Sequence, residues 1–429
     1  MVVKPDFMQI VTSPSVELIT QFLQNAGDSL KSFRYFDRRP VQSINNHLVT
    51  MLLLNGTLPI GYGHLDVENG NVWLGIAVSG CYRGMGLGSR LMAELIDFAD
   101  ASGIEKINLS VDKDNKSAIS LYQKFDFSFV RELNARSALM VRHSNKIMDV
   151  YISTLAFSGL SPEEMIQVAT HNEFALEFSS GLPYSPDMEK LYINTKVKRV
   201  PHNYFPAPPI PFVLNLASAN KEIRLASVAH CKKGLFLSEL SQSPFFSAHA
   251  GFCIDPSPRE LGNKIKVSHE YTRELNMSFF IESLTEILEF QNNKRQKFLI
   301  ENNVIARFNM TPFGNPLLCC ESKEIIDVLE KLNNKNIGLL LDTAHLRVSC
   351  ETLGLDIHDE IFALKPYIKC IHHSDNNGIA DTNDRLKSDY WFLKYIKDFK
   401  NIPHVLEVKN INPSEIKEQI SLIQEYGSK

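Results

Sequence analysis

The sequence predicts an α/β protein in two parts, a mixed α/β domain followed by a (β/α)₈ barrel. Its 429 residues exceed what one ordinary hydrophobic core organises. Around residues 141–146 the pattern turns polar between two self-contained runs of elements. Beyond that point, apolar strand-like runs alternate with helix-like runs to the C-terminus, as in a parallel sheet with crossover helices. We therefore divide the chain into residues 1–146 and 147–429.

The first part combines alternating strand patterns with two helical patterns. The predicted strands are 47–54, 58–65, 72–78 and 106–111, and the predicted helices are 88–101 and 117–124. Two strands that look antiparallel precede the others, which favours a mixed α/β domain.

The second part contains eight apolar runs of strand length. They are 150–156, 175–179, 199–204, 244–249, 297–302, 337–342, 368–373 and 403–408. The predicted helices include 162–171, which Ser161 can cap, and 269–290, 323–333, 390–399 and 413–426. Eight βα repeats in about 280 residues match the size and order of a (β/α)₈ barrel.

Composition excludes several classes of protein. Hydrophobic residues make up 44% and charged residues 22% of the chain, which is typical of a globular protein. A net charge of −4 argues against a nucleic-acid partner, which needs clustered Lys and Arg. The first six residues lack a signal pattern and no apolar run approaches the ~18 residues that span a bilayer, so we expect a cytoplasmic protein without a membrane partner. The seven cysteines lack Cys-x-x-Cys spacing and are expected to be reduced.

A glycine-rich run follows predicted strand 72–78 and opens predicted helix 88–101. Glycines let backbone N–H groups converge on a pyrophosphate, and the helix start adds partial positive charge. No Gly-Lys-Ser/Thr follows, so this is not a Walker loop, and the preceding antiparallel pattern argues against a dinucleotide fold. The predicted cofactor contacts here are Val78, Arg83, Gly84, Met85, Gly86, Leu87, Gly88 and Ser89.

These residues resemble the coenzyme A loop of the GNAT N-acetyltransferases, Arg/Gln-x-x-Gly-x-Gly/Ala. A second stretch matches that family's Asn-x-x-Ala-x-x-Leu-Tyr-x-Lys-x-Gly-Phe through Asn115, Ala118, Leu121, Tyr122, Lys124 and Phe127. The resemblance implies that acetyl-CoA is the cofactor, that Asn115 touches it and that Tyr122 protonates the leaving thiolate. Asp126 replaces the usual glycine, and we expect this turn to tolerate it. The alternative is a glycine turn that only starts a helix and a tyrosine that only packs.

The acceptor side of this domain is less defined. Residues 33–36, Phe-Arg-Tyr-Phe, could form an aromatic and cationic wall for a nucleotide or sugar, although such clusters are more often core. His64 could be a general base for an amine, although a lone histidine is more often an ordinary strand residue. The domain resembles the subgroup that acetylates 4-amino sugars on nucleotide carriers for bacterial surface glycans.

In the second part, acidic and imidazole side chains stand at the ends of the predicted strands. They are Glu177, His202, His249, Glu301, Asp342, His345, His372 and Glu407. Strand ends of a barrel meet at one mouth, where carboxylates and imidazoles repel and desolvate one another unless a divalent cation lies between them. Mixed oxygen and nitrogen ligands suit Mn²⁺, Mg²⁺, Zn²⁺ or Co²⁺. Any one of these histidines alone is more often an ordinary core or loop residue.

This arrangement resembles the xylose-isomerase-like superfamily, which includes sugar epimerases, hydroxypyruvate isomerase and the endonuclease IV type of apurinic-site nuclease. In the ketose 3-epimerases a Glu, Asp, His, Glu quartet binds the metal, and its glutamates also exchange a proton beside a carbonyl. The resemblance implies that Glu301, Asp342, His372 and Glu407 bind metal, with Glu301 and Glu407 also catalytic. Glu177, His202, His249 and His345 are then expected to bind substrate.

The nuclease alternative has support in the order of several residues. His202-Asn203-Tyr204, then residues 214–218, His249, Asp342 and His345 follow that family's order. The nuclease's third zinc is held by an Asp-x-His, and residues 381–383 here are Asp-Thr-Asn, which puts a trinuclear site in doubt.

We predict a bifunctional enzyme, an acetyl-CoA-dependent N-acetyltransferase joined to a metal-dependent sugar isomerase or epimerase. A small sugar is the expected partner, and the sequence leaves a homo-oligomer open. The rival hypotheses are a phosphodiesterase acting on DNA and a barrel without turnover that serves as a scaffold for the acetyltransferase.

Overall fold

The computed structural model describes residues 8–143, 148–266, 270–291 and 296–428. The chain forms two compact units, Met1–Lys146 and Ile147–Lys429. The predicted boundary between residues 146 and 147 lies outside the described residues, as does His269 at the predicted start of a helix.

The first unit is built on a seven-stranded sheet whose strand order is β1-β2-β3-β4-β5-β7-β6. Its strands are β1 Met8–Thr12, β2 Val49–Asn55, β3 Leu58–Glu68, β4 Asn71–Val78, β5 Lys106–Asp112, β6 Ser128–Glu132 and β7 Ser137–His143. Its helices are α1 Val16–Asn25, α2 Leu87–Ala101 and α3 Lys116–Gln123. Pairing is antiparallel except between β4 and β5, which are parallel.

The parallel strands β4 and β5 separate along their length. Among the described residues they pair only at Val72 with Ile107 and Trp73 with Asn108, near their amino ends. β4 continues to Val78 paired with β3, and β5 continues to Asp112 paired with β7. A V-shaped gap therefore opens between their carboxyl halves and exposes backbone N–H and C=O groups along both edges.

The second unit is an eight-stranded parallel sheet of order β10-β9-β8-β15-β14-β13-β12-β11. Its strands are β8 Val150–Ser153, β9 Ala175–Phe178, β10 Arg199–Pro201, β11 Phe245–His249, β12 Lys297–Glu301, β13 Ile337–Asp342, β14 Ile368–His373 and β15 His404–Leu406. A parallel bridge between His202 and Ser247 joins the two outer strands. The sheet is thus closed into the (β/α)₈ barrel that the sequence predicts.

Eight helices accompany the described part of this barrel. They are α4 Pro162–Asn172, α5 Met188–Asn194, α6 Lys221–Leu240, α7 Arg273–Phe290, α8 Ser322–Leu332, α9 Thr343–Leu353, α10 Ile357–Leu364 and α11 Pro413–Ser428. Ser161 caps α4, as the sequence predicts, and it also forms a capping box with Glu164. No described helix is both long enough and apolar enough to cross a bilayer.

Several element predictions need correction. Residues 390–399 are not an α-helix, because the regular part is a 3₁₀ helix, Leu393–Phe399. The strands predicted at 199–204 and 403–408 stop at Pro201 and Leu406. β1, β6 and β7 and the 20-residue helix α6 were not predicted. Helix α6 lacks a clear amphipathic pattern in the sequence, because small and polar residues occupy its buried face. They include Ser227, Gly234 and Ser238.

Gly234 provides a test of how α6 packs on the sheet. A Cβ added there would lie 2.2 Å from Cε2 of Phe246, a fully buried ring in β11. We predict that Gly234→Ala lowers the free energy of unfolding by about 1–3 kcal/mol through overpacking, although alanine favours a helix by about 1 kcal/mol. Chemical denaturation followed by circular dichroism measures the change.

Gly427→Ala in α11 is the matched control. There the added Cβ would meet Cε of Met148 at 2.1 Å, which is the end of a flexible side chain that can rotate away. Equal losses of stability in the two variants would contradict the proposed close contact of α6 with Phe246.

Candidate functional site

The glycine-rich run of the first unit joins β4 to α2. Gly84 and Gly86 have φ values of 77° and 78°, in the left-handed region that favours glycine. A Cβ at either position would have nothing within 4 Å, so backbone conformation rather than packing requires glycine. Gly86 is the N-cap of α2 and gives it no side-chain hydrogen bond. The first-turn N–H groups of α2 are therefore available to an anion.

The other predicted contacts surround this turn. Val78 ends β4, and its carbonyl accepts a hydrogen bond from Ser29 Oγ. Arg83 donates to the same hydroxyl at 2.9 Å. Met85 is exposed, whereas Leu87 is buried in the core. At Gly88 an added Cβ would lie 3.3 Å from Leu121, so this glycine allows α2 to approach α3.

Tyr122 and Asn115 belong to α3. Tyr122 is buried against Phe127, and burial raises the pKa of its hydroxyl to about 12, so it carries its proton at neutral pH. Asn115 caps α3, its Oδ1 accepting from Ala118 N at 3.2 Å, so its amide NH₂ is what it can offer a cofactor. Asp126 has a φ of 63°, in the left-handed region, which explains why the GNAT motif usually has glycine at this position. Aspartate adopts the same conformation here.

Arg34 is committed to an internal ion pair. Its Nη1 and Nη2 lie 3.0 and 2.5 Å from the two carboxylate oxygens of Asp112 at the end of β5. That carboxylate holds the pKa of Arg34 above its ordinary value. The predicted cationic wall is therefore already neutralised, and the segment around Arg34 is tied to β5.

The barrel interior is layered. One apolar side chain from each strand forms a buried layer: Tyr151, Ala175, Val200, Phe245, Leu299, Leu340, Cys370 and Val405. Alternate residues of a strand point to the same side, so the residues two positions further on form the next inward layer. These residues are Ser153, Glu177, His202, Ser247, Glu301, Asp342, His372 and Glu407. All eight are polar. Seven of them lie within one residue of the carboxyl end of their strand, and Ser247 lies two residues before the end of β11.

The predicted metal quartet comes together in this polar layer. One ligand atom from each of Glu301, Asp342, His372 and Glu407 lies within 4.8 Å of the others. His372 Nδ1 faces the three carboxylates, 3.0 Å from Glu407, 3.5 Å from Glu301 and 3.8 Å from Asp342. The three buried members are less than 2% exposed.

A second cluster shares Glu301 with the quartet. His202 Nε2 and His249 Nδ1 are each 3.2 Å from Glu301 Oε2, and all three groups lie within the same 4.8 Å limit. Ser247 Oγ, 2.9 Å from His202 Nδ1, orients that ring. The sequence predicts both histidines as substrate contacts, but the structure places their nitrogens against a predicted metal ligand.

Glu177, predicted as a substrate contact, lies against one of the predicted metal ligands. Its side chain is fully buried, and Oε2 lies 2.8 Å from His372 Nε2. Burial acts to lower the pKa of His372, but Glu177 and Glu407 outweigh it and raise it well above the ordinary value. Glu177 Oε2 therefore orients the ring of His372 from behind, an arrangement common around metal-ligating histidines, while Glu177 Oε1 has no hydrogen-bond partner among the described residues and its contact with substrate stays a prediction.

The electrostatics of the layer fit a divalent cation. Among the described residues, Glu301 Oε2, Asp342 Oδ2 and His249 Nδ1 are buried and make no well-aligned hydrogen bond, although Glu301 Oε2 lies 3.2 Å from both His202 Nε2 and His249 Nδ1. Burial, with nearby carboxylates, raises the pKa of Asp342 to about 7, so its ionised form is poorly stabilised by the protein alone. Buried carboxylate oxygens and imidazole nitrogens that converge in this way are the donor set that Mn²⁺, Mg²⁺, Zn²⁺ or Co²⁺ would satisfy.

His345 lies beside the quartet, on α9. Its Nδ1 is 2.9 Å from the Asn302 carbonyl, and its Nε2 is 3.3 Å from Asp381 Oδ2. Asn383, which stands where the nuclease has histidine, is buried with a φ of 51°, and its carbonyl accepts from Lys409 N. The structure thus places the pair Asp381–His345 at this position, without the histidine that completes the third zinc site of the nuclease.

Sequence reasoning missed the amides that fix the strand ends. Asn302 Oδ1 accepts from Asp342 N at 2.7 Å, and its Nδ2 donates to the Asp342 carbonyl at 3.0 Å. Asn303 Nδ2 donates to the carbonyls of Ala250, Gly251 and Leu318. The signal was present in the sequence, since two asparagines directly after an apolar strand are costly to bury unless both are bonded.

The family model described as "Xylose isomerase-like TIM barrel" matches residues 166–426. The chain belongs to this family. Residues 17–127 match the model of the "Acetyltransferase (GNAT) family", so this family member carries a GNAT acetyltransferase domain ahead of its barrel.

Individual relatives resemble one part at a time. The spermine/spermidine N(1)-acetyltransferase of Bacillus subtilis strain 168 is 39% identical over 71 residues, 16% of this chain and 47% of the relative. A "Probable spermine N(1)-acetyltransferase" from Bacillus subtilis subsp. natto matches equally. The chain thus spans about half the length of these relatives. A solved D-tagatose 3-epimerase-like protein has a TM-score of 0.50 at 20% identity, covering 65% of this chain and 97% of its own, which shows the barrel fold alone.

Proposed function

We propose that this protein is a bifunctional enzyme, an acetyl-CoA-dependent N-acetyltransferase joined to a divalent-metal-dependent sugar isomerase or epimerase. Its acetyl acceptor is an amino sugar or a nucleotide-linked amino sugar, and its setting is cytoplasmic biosynthesis of an acetamido sugar, such as a nonulosonic acid, for a bacterial surface glycan. The observation that carries the barrel half is the polar layer, in which Glu301, Asp342, His372 and Glu407 converge.

For the acetyltransferase, the support lies at the carboxyl ends of β4 and β5. The pyrophosphate of acetyl-CoA would bind the N–H groups that Gly84 and Gly86 leave accessible before α2. An extended thioester arm with amide groups fits the unpaired backbone edges of the gap between the strands. Tyr122, which keeps its proton at neutral pH, would donate it to the departing thiolate.

For the barrel, the support is the placement of two glutamates around one cation site. A divalent ion held there would polarise a substrate carbonyl and its neighbouring hydroxyl. Glu407 is the more accessible of the two, with its side chain 13% exposed, and would remove or return a proton at the adjacent carbon. Glu301 would serve the opposite face, its proton shared with His202 and His249.

A second candidate function for the barrel is a metal-dependent phosphodiesterase. The cluster of His202, His249 and Glu301 favours it, because two ligand sets that share one carboxylate can hold a pair of cations. Against it stand Asn383 in place of a third-site histidine and the fused acetyltransferase domain. Cleavage of an abasic-site DNA duplex by the metal-loaded protein, lost in His249→Ala, would support this candidate over the isomerase.

The glycine loop generates the first prediction of this function. We expect Gly86→Val to weaken acetyl-CoA binding to the full chain by about tenfold or more. Valine is strained at the positive φ of this position, and its side chain would keep the backbone N–H groups of the loop away from the pyrophosphate. Isothermal titration calorimetry measures the affinity.

Gly70→Val is the matched control for backbone strain. Gly70 has a φ of 74° in the turn between β3 and β4, at the other end of β4, and also has nothing within 4 Å of an added Cβ. Undiminished acetyl-CoA affinity in Gly86→Val would reject the assignment of the loop.

The polar layer generates the second prediction. We expect the purified protein to hold at least one divalent ion per chain, and Asp342→Ala and His372→Ala to lose it without weakening acetyl-CoA binding, because their side chains belong to the barrel. Elemental mass spectrometry measures metal content. Glu360→Ala, which removes a buried carboxylate bonded to Ser322 outside the cluster, should retain the ion. Full metal occupancy in Asp342→Ala would contradict the quartet.

The third prediction concerns proton exchange. With D-tagatose as a ketose probe in D₂O, turnover should place deuterium on a carbon beside the carbonyl, and Glu407→Gln should slow this by ~10²–10⁴-fold. Nuclear magnetic resonance detects the label. Metal content must be measured in the same samples, because glutamine is also a weaker ligand.

Two outcomes would count against this assignment. Turnover without solvent deuterium would indicate a hydride shift, with the glutamates as ligands only. A wild-type rate in Glu407→Gln that keeps its metal would remove Glu407 from the reaction.

A further inference from the structure

Two buried polar side chains on β3 have no role in the function described so far. Tyr62 and His64 face the same side of the sheet and are at most 1% exposed. Tyr62 Oη and His64 Nδ1 lack a hydrogen-bond partner among the described residues. A buried polar group without a partner destabilises the fold, so two of them together point to a ligand that satisfies them.

Both side chains lie against the part of β4 that has left β5. His64 is opposite Gly75 and Tyr62 is opposite Ala77, beyond the last pair of β4 with β5. A Cβ on Gly75 would lie 2.3 Å from Cε1 of His64, so the imidazole rests directly on the β4 backbone. The absence of a side chain at Gly75 brings this ring to the border of the gap.

A segment between α1 and β2 covers this face of the sheet with aromatic rings. The Tyr35 ring lies 4.2 Å from His64, and the His47 ring stacks on His64 at 4.5 Å. Tyr35 and His47 satisfy each other, since the Tyr35 hydroxyl is 2.7 Å from His47 Nε2 and donates to Asp66 at 2.6 Å. His64 is thus the imidazole of this cluster that is left to interact with a ligand.

The charges around the cluster favour an amine over a phosphate. Arg34 is neutralised by Asp112, and this ion pair ties the covering segment to β5. Arg39, which lies 4.6 Å from the centre of the Tyr35 ring, is paired with Glu68 at 3.0 Å. What remains at the gap border is a phenol oxygen, an imidazole lone pair and aromatic faces, groups that accept N–H donors and attract cations.

We propose that His64 accepts the proton of the acceptor amine during acetyl transfer, with Tyr62 Oη as a second contact for a primary amine. This rests on the proposed binding of acetyl-CoA in the gap between β4 and β5. The amine nitrogen forms a bond to the thioester carbonyl carbon, and the carbon–sulfur bond breaks. The thiolate takes the proton of Tyr122, and the proton leaving nitrogen goes to His64.

The charge state of His64 agrees with this role. Burial, together with His47 and Arg39, lowers the pKa of the imidazole well below its ordinary value, so it is neutral and has a free lone pair at neutral pH. The titratable and charged groups around it are Tyr35, Arg39, His47, Tyr62 and Asp66. A proton received there is passed on readily, because the buried cation is poorly stabilised.

The test uses the full-length protein with acetyl-CoA and three acceptor probes: spermidine, D-glucosamine and a nucleotide-linked 4-amino sugar. Thiol release gives the rate, and calorimetry gives acetyl-CoA affinity. We expect His64→Gln to lower kcat by ~10²-fold or more while acetyl-CoA affinity stays unchanged. His143→Gln, which removes an exposed imidazole at the end of β7, should keep the wild-type rate.

Three further variants separate catalysis from folding. Gly75→Ala keeps His64 but displaces its ring, and should also lower kcat. Tyr62→Phe removes only the oxygen and should raise KM for the amine more than it lowers kcat. In His64→Ala, added imidazole should restore part of the rate, which a purely structural histidine would not permit.

Two results would overturn the inference while acetyl-CoA binding is intact: a wild-type kcat in His64→Gln, or a wild-type protein that acetylates none of the three amines. Failure of the wild-type protein to bind acetyl-CoA would instead overturn the proposed function itself, and the role of His64 with it.

Discussion

The barrel depends on one constraint, the burial of like charges next to the apolar layer of its interior. Each strand contributes one residue to the apolar layer and, two positions later, one residue to the polar layer. The polar layer therefore contains four carboxylates, two imidazoles and two hydroxyls. Apolar side chains beneath them exclude water and strengthen every interaction in the layer. The imidazoles offset part of this charge, as the depressed pKa values of Glu301 and Glu407 indicate, while Asp342 is left with a raised one.

The surrounding structure holds this layer in register. Asn302 links the end of β12 to both backbone groups of Asp342, and Glu177 fixes the ring of His372 from behind. Neither residue is exposed to the mouth, yet each determines where a ligand atom points. The layer therefore needs supporting residues as strictly as it needs its ligands, because a displaced carboxylate in a buried site loses its partners without gaining water.

Much of this followed from local sequence pattern. The alternation of eight apolar strand-like runs with helix-like runs was sufficient to predict the barrel, and the polar residues at the strand ends indicated its mouth. The resemblance to the xylose-isomerase-like superfamily then implied that Glu301, Asp342, His372 and Glu407 form the metal quartet. The separation of β4 from β5 could not be predicted, because it depends on how two strands diverge in space and leaves no trace in either strand's own sequence. The role of Glu177 was hidden for a similar reason, since its partner His372 is 195 residues away. The 3₁₀ segment Leu393–Phe399 has an apolar pattern that suits either helix type, and only its fit against the barrel distinguishes them.

The histidines show why residue type alone leaves a site undefined. His64, His249 and His372 are each extensively surrounded by protein, which by itself lowers the pKa of an imidazole. His64 faces aromatic rings and another imidazole, and its pKa falls. His249 has one close carboxylate, and its pKa still falls, to about 4. His372 touches carboxylates on both ring nitrogens, and its pKa rises. Burial thus lowers the pKa of the imidazoles of His64 and His249, and only the close carboxylates on both ring nitrogens of His372 reverse that direction.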